Sequence, residues 1–356
     1  MRRVLSALVL LGMSPAATAA PAGEPVVEAL ARPAIPVRHP AKAVMSGAAR
    51  AGSRIVAVGE RGLVVVSDDG GRGWRQAATP VSVGLTAVGF VDDRFGVAVG
   101  HGGAVLTTSD AGDSWRLRLD GRRAARIALE AAEKRRDAEA TREAGRLVAE
   151  GPDKPFLDLL VLDDASVLVV GAYGLAFLSD DRGESWRSWM DRLAGAGGLH
   201  LHALRRRGDV IVIAGEQGLV MRSDDAGRSF RRVATPYNGS FFTVELPADG
   251  EILLGGLRGN VWRSRDDGGS WERMASAVPA SITGSTRHPG GGGVLLASQA
   301  GFVLERGADD AWRPLNTVPL PALSQLLRLD DRRLIALSDR GILSLDLAAL
   351  SREGGR

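Results

Sequence analysis

Apolar positions along this chain fall in short runs, and the runs come in pairs. Ile55 to Val58 lead into Gly59-Glu60-Arg61-Gly62, and Leu63 to Val66 follow. Short apolar runs bounded by glycine predict buried strands, because an amphipathic helix needs a longer stretch with helical periodicity. The two glycines tolerate positive φ, which suits them to a tight hairpin. A polar signature closes the pair: Ser67, Asp69, Gly71 and Trp74, in the order Ser-x-Asp-x-Gly-x-x-Trp.

The unit recurs. Thr108, Asp110, Gly112, Ser114 and Trp115 form a second copy, and Ser179, Asp181, Gly183, Ser185 and Trp186 a third. Ser223, Asp225, Gly227, Ser229 and Phe230 follow, then Ser264, Asp266, Gly268, Ser270 and Trp271. A sixth copy keeps Gly301 and Trp312 without the serine and aspartate, and a seventh keeps only the strand pair from Ile335 to Leu345 around Gly341. The hairpin glycines at 62, 103, 174, 218, 259, 301 and 341 number seven. The closing aromatics at 74, 115, 186, 230, 271 and 312 stand 41, 71, 44, 41 and 41 residues apart. A period of about forty residues with four short strands marks propeller blades. The sequence therefore predicts an all-β, seven-bladed β-propeller, with blades one and two over residues 41–119 and blades three to seven over residues 156–350.

In each polar signature, an Asp box, the carboxylate is placed to accept backbone N–H groups across the turn. The glycine supplies positive φ, and the aromatic fills the seam between blades. Asp69, Asp110, Asp181, Asp225 and Asp266 are accordingly read as structural, and no residue is assigned a catalytic role. Blade seven lacks a fourth strand. The N-terminal segment, residues 20–40, is expected to close the ring, with Pro25 to Val37 supplying that outer strand and hiding two strand edges.

The long interval is filled by residues 120–155, rich in Ala, Arg and Glu. Glu130 with Lys134 and Glu139 with Arg142 stand at helical pair spacings. Ile127, Leu129, Leu147 and Val148 make only a thin apolar stripe, which predicts a protruding, mostly solvated helix or helical hairpin between blades two and three. Such an insertion is either a tolerated loop or a partner-docking arm.

Composition then narrows the function. Cysteine is absent, which excludes disulfides, thiolate metal sites and a cysteine nucleophile. Arg2 and Arg3, the apolar run Val4 to Leu11 and the motif Ala17-Thr18-Ala19 read as a signal peptide over residues 1–19. The protein is therefore expected in the periplasm or secreted. No later apolar run approaches the length of about eighteen residues that a membrane-spanning helix needs. Net charge is +3 and falls to about +1 without Arg2 and Arg3, and no basic cluster offers a footprint for nucleic acid.

The stretch Val170 to Trp186, VGAYGLAFLSDDRGESW, resembles the photosystem II stability/assembly factor-like family of seven-bladed propellers. The likeness recurs in every blade over residues 41 to 347. It implies a non-catalytic, monomeric binding platform or assembly factor, without cofactor or metal, whose partner is an envelope or membrane protein. Asp boxes also occur in sialidases and other glycoside hydrolases, which form the rival reading. The resemblance to sialidases is incomplete. Ile35-Pro36-Val37-Arg38 has the wrong order for their arginine motif, and Tyr173 and Tyr237 are the only tyrosines available for a tyrosine–glutamate pair. A paired-carboxylate glycosidase would need two acids flanking the scissile bond.

In a propeller the Asp boxes share one face and the Gly-x-x-Gly turns the other. Glu60, Arg61, His101, Tyr173, Glu216, Arg258, Asp339 and Arg340 occupy those turns, and Tyr237 stands on an inter-blade loop of the same face. Charged and aromatic side chains at turn tips, where folding does not demand them, are expected to form a binding rim. His200 and His202 are two apart on an expected inner strand, hence on one side of it, but no carboxylate at a fixed spacing completes a metal site with them or with His101.

Overall fold

The computed structural model describes residues 25–288 and 293–353. The expected signal peptide, residues 1–19, lies outside them. Among the described residues seven antiparallel sheets follow one another, six of four strands and the last of three. Their inner strands are Met45–Ala51, Leu85–Phe90, Phe156–Val161, Leu201–Arg207, Phe241–Glu245, Ile282–Arg287 and Leu323–Arg328. Each inner strand descends, the second returns to a turn on the upper face, and the third descends into the Asp box on the lower face. The propeller and its blade count stand as the repeat predicted.

Seven apolar clusters hold the ring, and each occupies one seam between blades. Val56, Val58 and Val64 of blade one meet Ala98 and Leu106 of blade two. Val97 and Val99 of blade two meet Val167, Val169 and Phe177 of blade three. Second strands read as unbroken apolar runs because both faces of a blade are covered. Val210–Gly215, for example, is buried from Ile211 onward. Burying one such aliphatic side chain contributes about 1.5–3 kcal/mol, so the seams dominate stability.

The Asp boxes staple the lower edge. In blade three, Asp181 accepts from the Ser185 backbone N–H at 2.9 Å and from the Ser179 hydroxyl at 2.8 Å. The Ser179 oxygen in turn accepts from the Gly183 N–H at 2.7 Å, and Gly183 takes φ +82°. Trp186 Nε1 donates back to the Gly183 carbonyl at 3.2 Å. The same arrangement recurs in blades one, two, four and five, with some exchanges of donor. Each box glycine presses on the preceding blade, as Gly112 does on Val56 and Gly268 on Val233.

Ring closure differs from the expectation. Pro25 to Val37 adds no strand to blade seven, which remains three-stranded among the described residues. Pro25–Ala31 is instead a helix, α1, whose Val26 and Leu30 pack on the apolar seam of blades one and two. The chain behind it runs along blade one, with Ala34 N–H donating to the Thr79 carbonyl and Gln76 bonding Ile35 and Val37. A valine pair and a leucine spaced for one helical face suit this seat better than a two-sided strand. Blade seven meets blade one through side chains: Met45, Ile55 and Val65 against Ile335 and Leu337. Ser344 Oγ and Arg50 add bonds to the Gly71 and Leu329 carbonyls.

The insertion is a helical hairpin, α2 over Gly121–Arg135 and α3 over Ala138–Glu150. Asp120 and Asp137 cap the two helices by accepting from Arg123 N–H and Ala140 N–H. It lies against the body along α2 rather than protruding, while α3 stays largely exposed. Ala124, Ala125, Ala128 and Ala132 are buried, and Ala124, Ala128 and Ala144 join the cluster formed by blades two and three. Small side chains let α2 lie close to the body, and the Gly103–Gly121 approach fixes its base against the blade-two turn. A last helix, α4 over Leu347–Glu353, packs Leu347 and Leu350 against blades six and seven. Among the described residues no helix is long and apolar enough to cross a membrane.

Candidate functional site

All seven inner strands carry one β-bulge near their upper ends, at Ser46, Thr86, Leu157, His202, Phe242, Thr283 and Ser324. A bulge turns its side chain out of strand alternation, here toward the channel mouth and the next blade. Four of the seven reach the first carbonyl of the next inner strand. Thr86 Oγ1 donates to Phe156 O at 2.8 Å, Thr283 Oγ1 to Leu323 O at 2.7 Å, and Ser324 Oγ to Met45 O at 2.6 Å. His202 Nδ1 lies 2.8 Å from Phe241 O, which assigns the proton to Nδ1. The bulges were invisible in the sequence, since a bulge is defined by pairing register.

His202 therefore ties blade four to blade five. Burial, with a smaller push from His200, holds its pKa below the ordinary 6.5. His200 precedes the strand, and the two rings stand 6.2 Å apart, edge to face. Among the described residues no three histidine or acidic side chains are placed to hold a metal ion.

Below the mouth the channel wall is charged and balanced. Asp158 accepts from Arg205 at 2.9 Å and from the Leu204 N–H at 3.1 Å. Glu245, almost fully buried, accepts from Ser285 Oγ at 2.7 Å, with Arg287 at 3.2 Å and Arg205 at 3.8 Å. Each carboxylate faces a guanidinium, so neither is a free acid or base at the reaction centre a glycosidase would need. This network also escaped the sequence, because arginines are too many for any one to stand out.

The residues expected to form the upper rim play different parts. Glu60 and Glu216 open their turns and fold back onto the blade. Glu60 accepts from the Val44 N–H at 3.2 Å, and Glu216 from the His200 N–H at 2.9 Å. Tyr237 is a half-buried pillar between blades four and five, with its ring 5.1 Å from Phe241 and 6.1 Å from Trp262. Its burial raises the phenol pKa against the pull of Arg258 and Arg273. Asp339 and Arg340 are exposed on a tighter turn stitched by Ser338. His101 is exposed beside Gly84.

Arg61, Tyr173 and Arg258 are the tips. With Gln217 they hold φ between +53° and +56°, a left-handed backbone that costs non-glycine residues about 1 kcal/mol or more each. All four are exposed. The equivalent residue of blade two is Gly102, and it is buried: an added Cβ there would lie 3.1 to 3.2 Å from Val26 and Leu30 of α1. Side chains thus stand at open tips in spite of the backbone cost, and glycine stands where a helix covers the tip. Tyr173 begins an aromatic string into the channel mouth, 4.8 Å from His200, which leads to His202 and on to Phe242 at 5.2 Å. Lys154, at the end of the hairpin, lies over the Tyr173 ring at 5.2 Å.

Comparison with solved structures places this ring among known propellers. YCF48 bound to a D1 peptide superposes with a TM-score of 0.64 at 16% identity, over 88% of this chain and 99% of that one. YCF48 from Cyanidioschyzon merolae gives 0.64 at 14%, over 88% and 98%. A GH74 xyloglucanase from Xanthomonas campestris gives 0.60 at 16%, over 86% of this chain and 52% of the enzyme. At such identities the likeness establishes fold alone. No curated relative matches the chain in sequence. The sequence model of the family described as photosynthesis system II assembly factor YCF48 matches residues 138–326, more than half of the chain, and the chain belongs to that family.

Proposed function

We propose that the protein is an exported, non-catalytic platform whose upper face binds a protein partner, an envelope or membrane protein that it helps to assemble. The observation that carries this reading is the tip pattern: Arg61, Tyr173, Gln217 and Arg258 put side chains into solvent at the open tips, and Gly102 stands where α1 covers the tip. Charged and aromatic side chains at open turn tips, where folding does not demand them, support recognition. A solved YCF48 carries a D1 peptide, which gives the family a precedent for peptide binding. The hydrolase reading finds less support: the Tyr237 hydroxyl bonds the Leu257 carbonyl rather than a carboxylate, and the channel acids are paired with arginines.

The test is affinity capture from a detergent-solubilised bacterial envelope. Arg61, Arg258 and Arg340 changed together to alanine should keep the fold and lose the captured partner, because exposed turn charges contribute little to stability. Asp181→Ala on the lower face should lower stability and leave capture per folded molecule unchanged. Capture lost with Asp181→Ala but kept by the arginine variant would move recognition to the lower face. Turnover of chromogenic glycosides that Tyr237→Phe abolishes would favour the hydrolase.

A further inference from the structure

Between the helical hairpin and blade three runs a groove that shares only Tyr173 with the rim. One wall is the inner side of α2 and α3, and the other is the loop Met190–Ala196 leading to blade four. Its floor is short: Ala128 and Ala132 from α2, Ala140 and Ala144 from α3. Gly197 and Gly198, both at positive φ, keep the far end open, with no atom within 4 Å of an added Cβ. Tyr173 stands at one end, 53% exposed. The cavity is about 380 Å³, at the small end of ligand-sized pockets.

The groove's charge runs against that of the whole chain. The protein carries 45 basic and 42 acidic side chains, yet the groove is lined by Asp137, Glu139, Glu143 and Asp191 against Arg135 alone. Asp137 is engaged as the cap of α3. Asp191 lies 4.0 Å from Arg135, the outer limit of an ion pair and a weak one at this exposure. Glu139 and Glu143, one turn apart on α3, are exposed and meet no ion-pair or hydrogen-bond partner through their carboxylates among the described residues. An apolar floor under two unengaged carboxylates, with an exposed aromatic at the end, selects for a chain that is narrow and positive.

We propose that this groove seats a short, extended, basic segment of a protein partner. Its lysine or arginine side chains reach Glu139 and Glu143, and its backbone crosses the alanine floor beside Tyr173. A helix is too wide for the space, at about 10–12 Å across with its side chains. The inference rests on the protein-binding reading of the upper face, but it places the contact under the hairpin and fixes its sign.

The test uses the full chain without its signal and two fluorescein-labelled peptides, one alternating lysine and alanine, the other glutamate and alanine. Fluorescence anisotropy should show the lysine peptide binding, about tenfold or more tighter than the glutamate peptide, and weakening as salt rises. Glu139→Lys with Glu143→Lys should reverse that preference while the melting temperature moves little, since both positions are exposed. Ala140→Trp, which fills the floor without touching charge, should abolish lysine-peptide binding in a chain that still melts cooperatively. Lysine-peptide binding that survives either variant would show diffuse surface attraction and overturn the proposal. So would failure of the wild type to bind it. Envelope capture that depends on the tip arginines but not on Glu139 and Glu143 would leave the rim reading standing and remove the groove alone.

Discussion

On the lower face, Asp181 accepts from Ser185 and Ser179, Ser179 accepts from Gly183, and Trp186 returns a bond to the same loop. On the upper face of the same blade, Tyr173 holds a left-handed backbone with its ring half in solvent. The lower turn holds Arg182 and Gly183 at positive φ and turns its polar side chains back onto its own backbone. The upper turn holds Tyr173 in the same kind of backbone but leaves its ring facing outward. One blade thus separates the two tasks of a repeat protein. Its Asp box makes the fold, and its hairpin tip is left free to vary.

The contrast is sharpest for the aromatics. Trp186 is nearly buried in the cluster of blades two and three and donates to Gly183. Truncating a buried aromatic of this kind costs about 3–5 kcal/mol. Trp186→Ala should therefore shift the urea midpoint strongly downward, with the slope of the transition preserved if unfolding remains cooperative. A midpoint within error of wild type would mean that the box tryptophan is an ornament of the edge and that the faces differ less than their geometry implies.

Acid addresses the carboxylates. Hydrogen bonds from Ser229 to Asp225 and from Ser270 to Asp266 lower both pKa values from 3.8 to about 2. A depressed folded-state pKa means that the unfolded chain binds more protons, so the stabilisation is complete above pH 3.8 and lost as pH falls toward 2. Stability measured by urea should thus fall across that window. Asp309, held by Arg313, and Asp330, held chiefly by the Arg332 N–H, are also lowered to about 2 and add to the slope. Asp225→Asn with Asp266→Asn should flatten the slope without removing it. An unchanged slope would show that the box carboxylates titrate as they do in the unfolded chain.

What could be read from the sequence followed the same division. The boxes repeat at nearly fixed intervals, so Asp69, Gly71 and Trp74 announce themselves through their copies, and the blade count follows. Features that occur once were harder to read. Val26, Val27 and Leu30 fit a strand or one face of a short helix equally well, and only their seat on the blade-two tip decides. The alanines of α2 register as helix formers rather than as a buried face, although Ala128 and Ala132 are almost fully enclosed. His202 looked like half of a histidine pair because strand alternation puts residues two apart on one side, and the bulge cancels that rule. At the rim, the turn positions were legible from glycine spacing. Which of them face inward was not, because Glu60 and Arg61 are adjacent in sequence and opposite in role.

The smallest effect expected is also the most direct test of the tips. Tyr173→Gly relieves a left-handed backbone, a gain of about 1–2 kcal/mol, but it frees the unfolded chain and removes the ring contacts with His200 and Lys154. With the ring half exposed each loss lies near the low end of its range, about 0.5 kcal/mol, so the three together offset the gain and the net change should be near zero. Gly102→Ala on blade two changes sign for a different reason. It imposes a left-handed alanine at φ +70° and brings a methyl within 3.1 to 3.2 Å of Val26 and Leu30. That variant should lose about 1 kcal/mol, from strain and from a displaced α1. If the tip residues are kept for recognition, Tyr173→Gly weakens capture of the envelope partner at unchanged stability, whereas Gly102→Ala lowers stability at unchanged capture. A Tyr173→Gly protein that is clearly less stable than wild type would show that the ring is a packing element of blades three and four. The upper face would then lose the asymmetry that distinguishes it from the lower one.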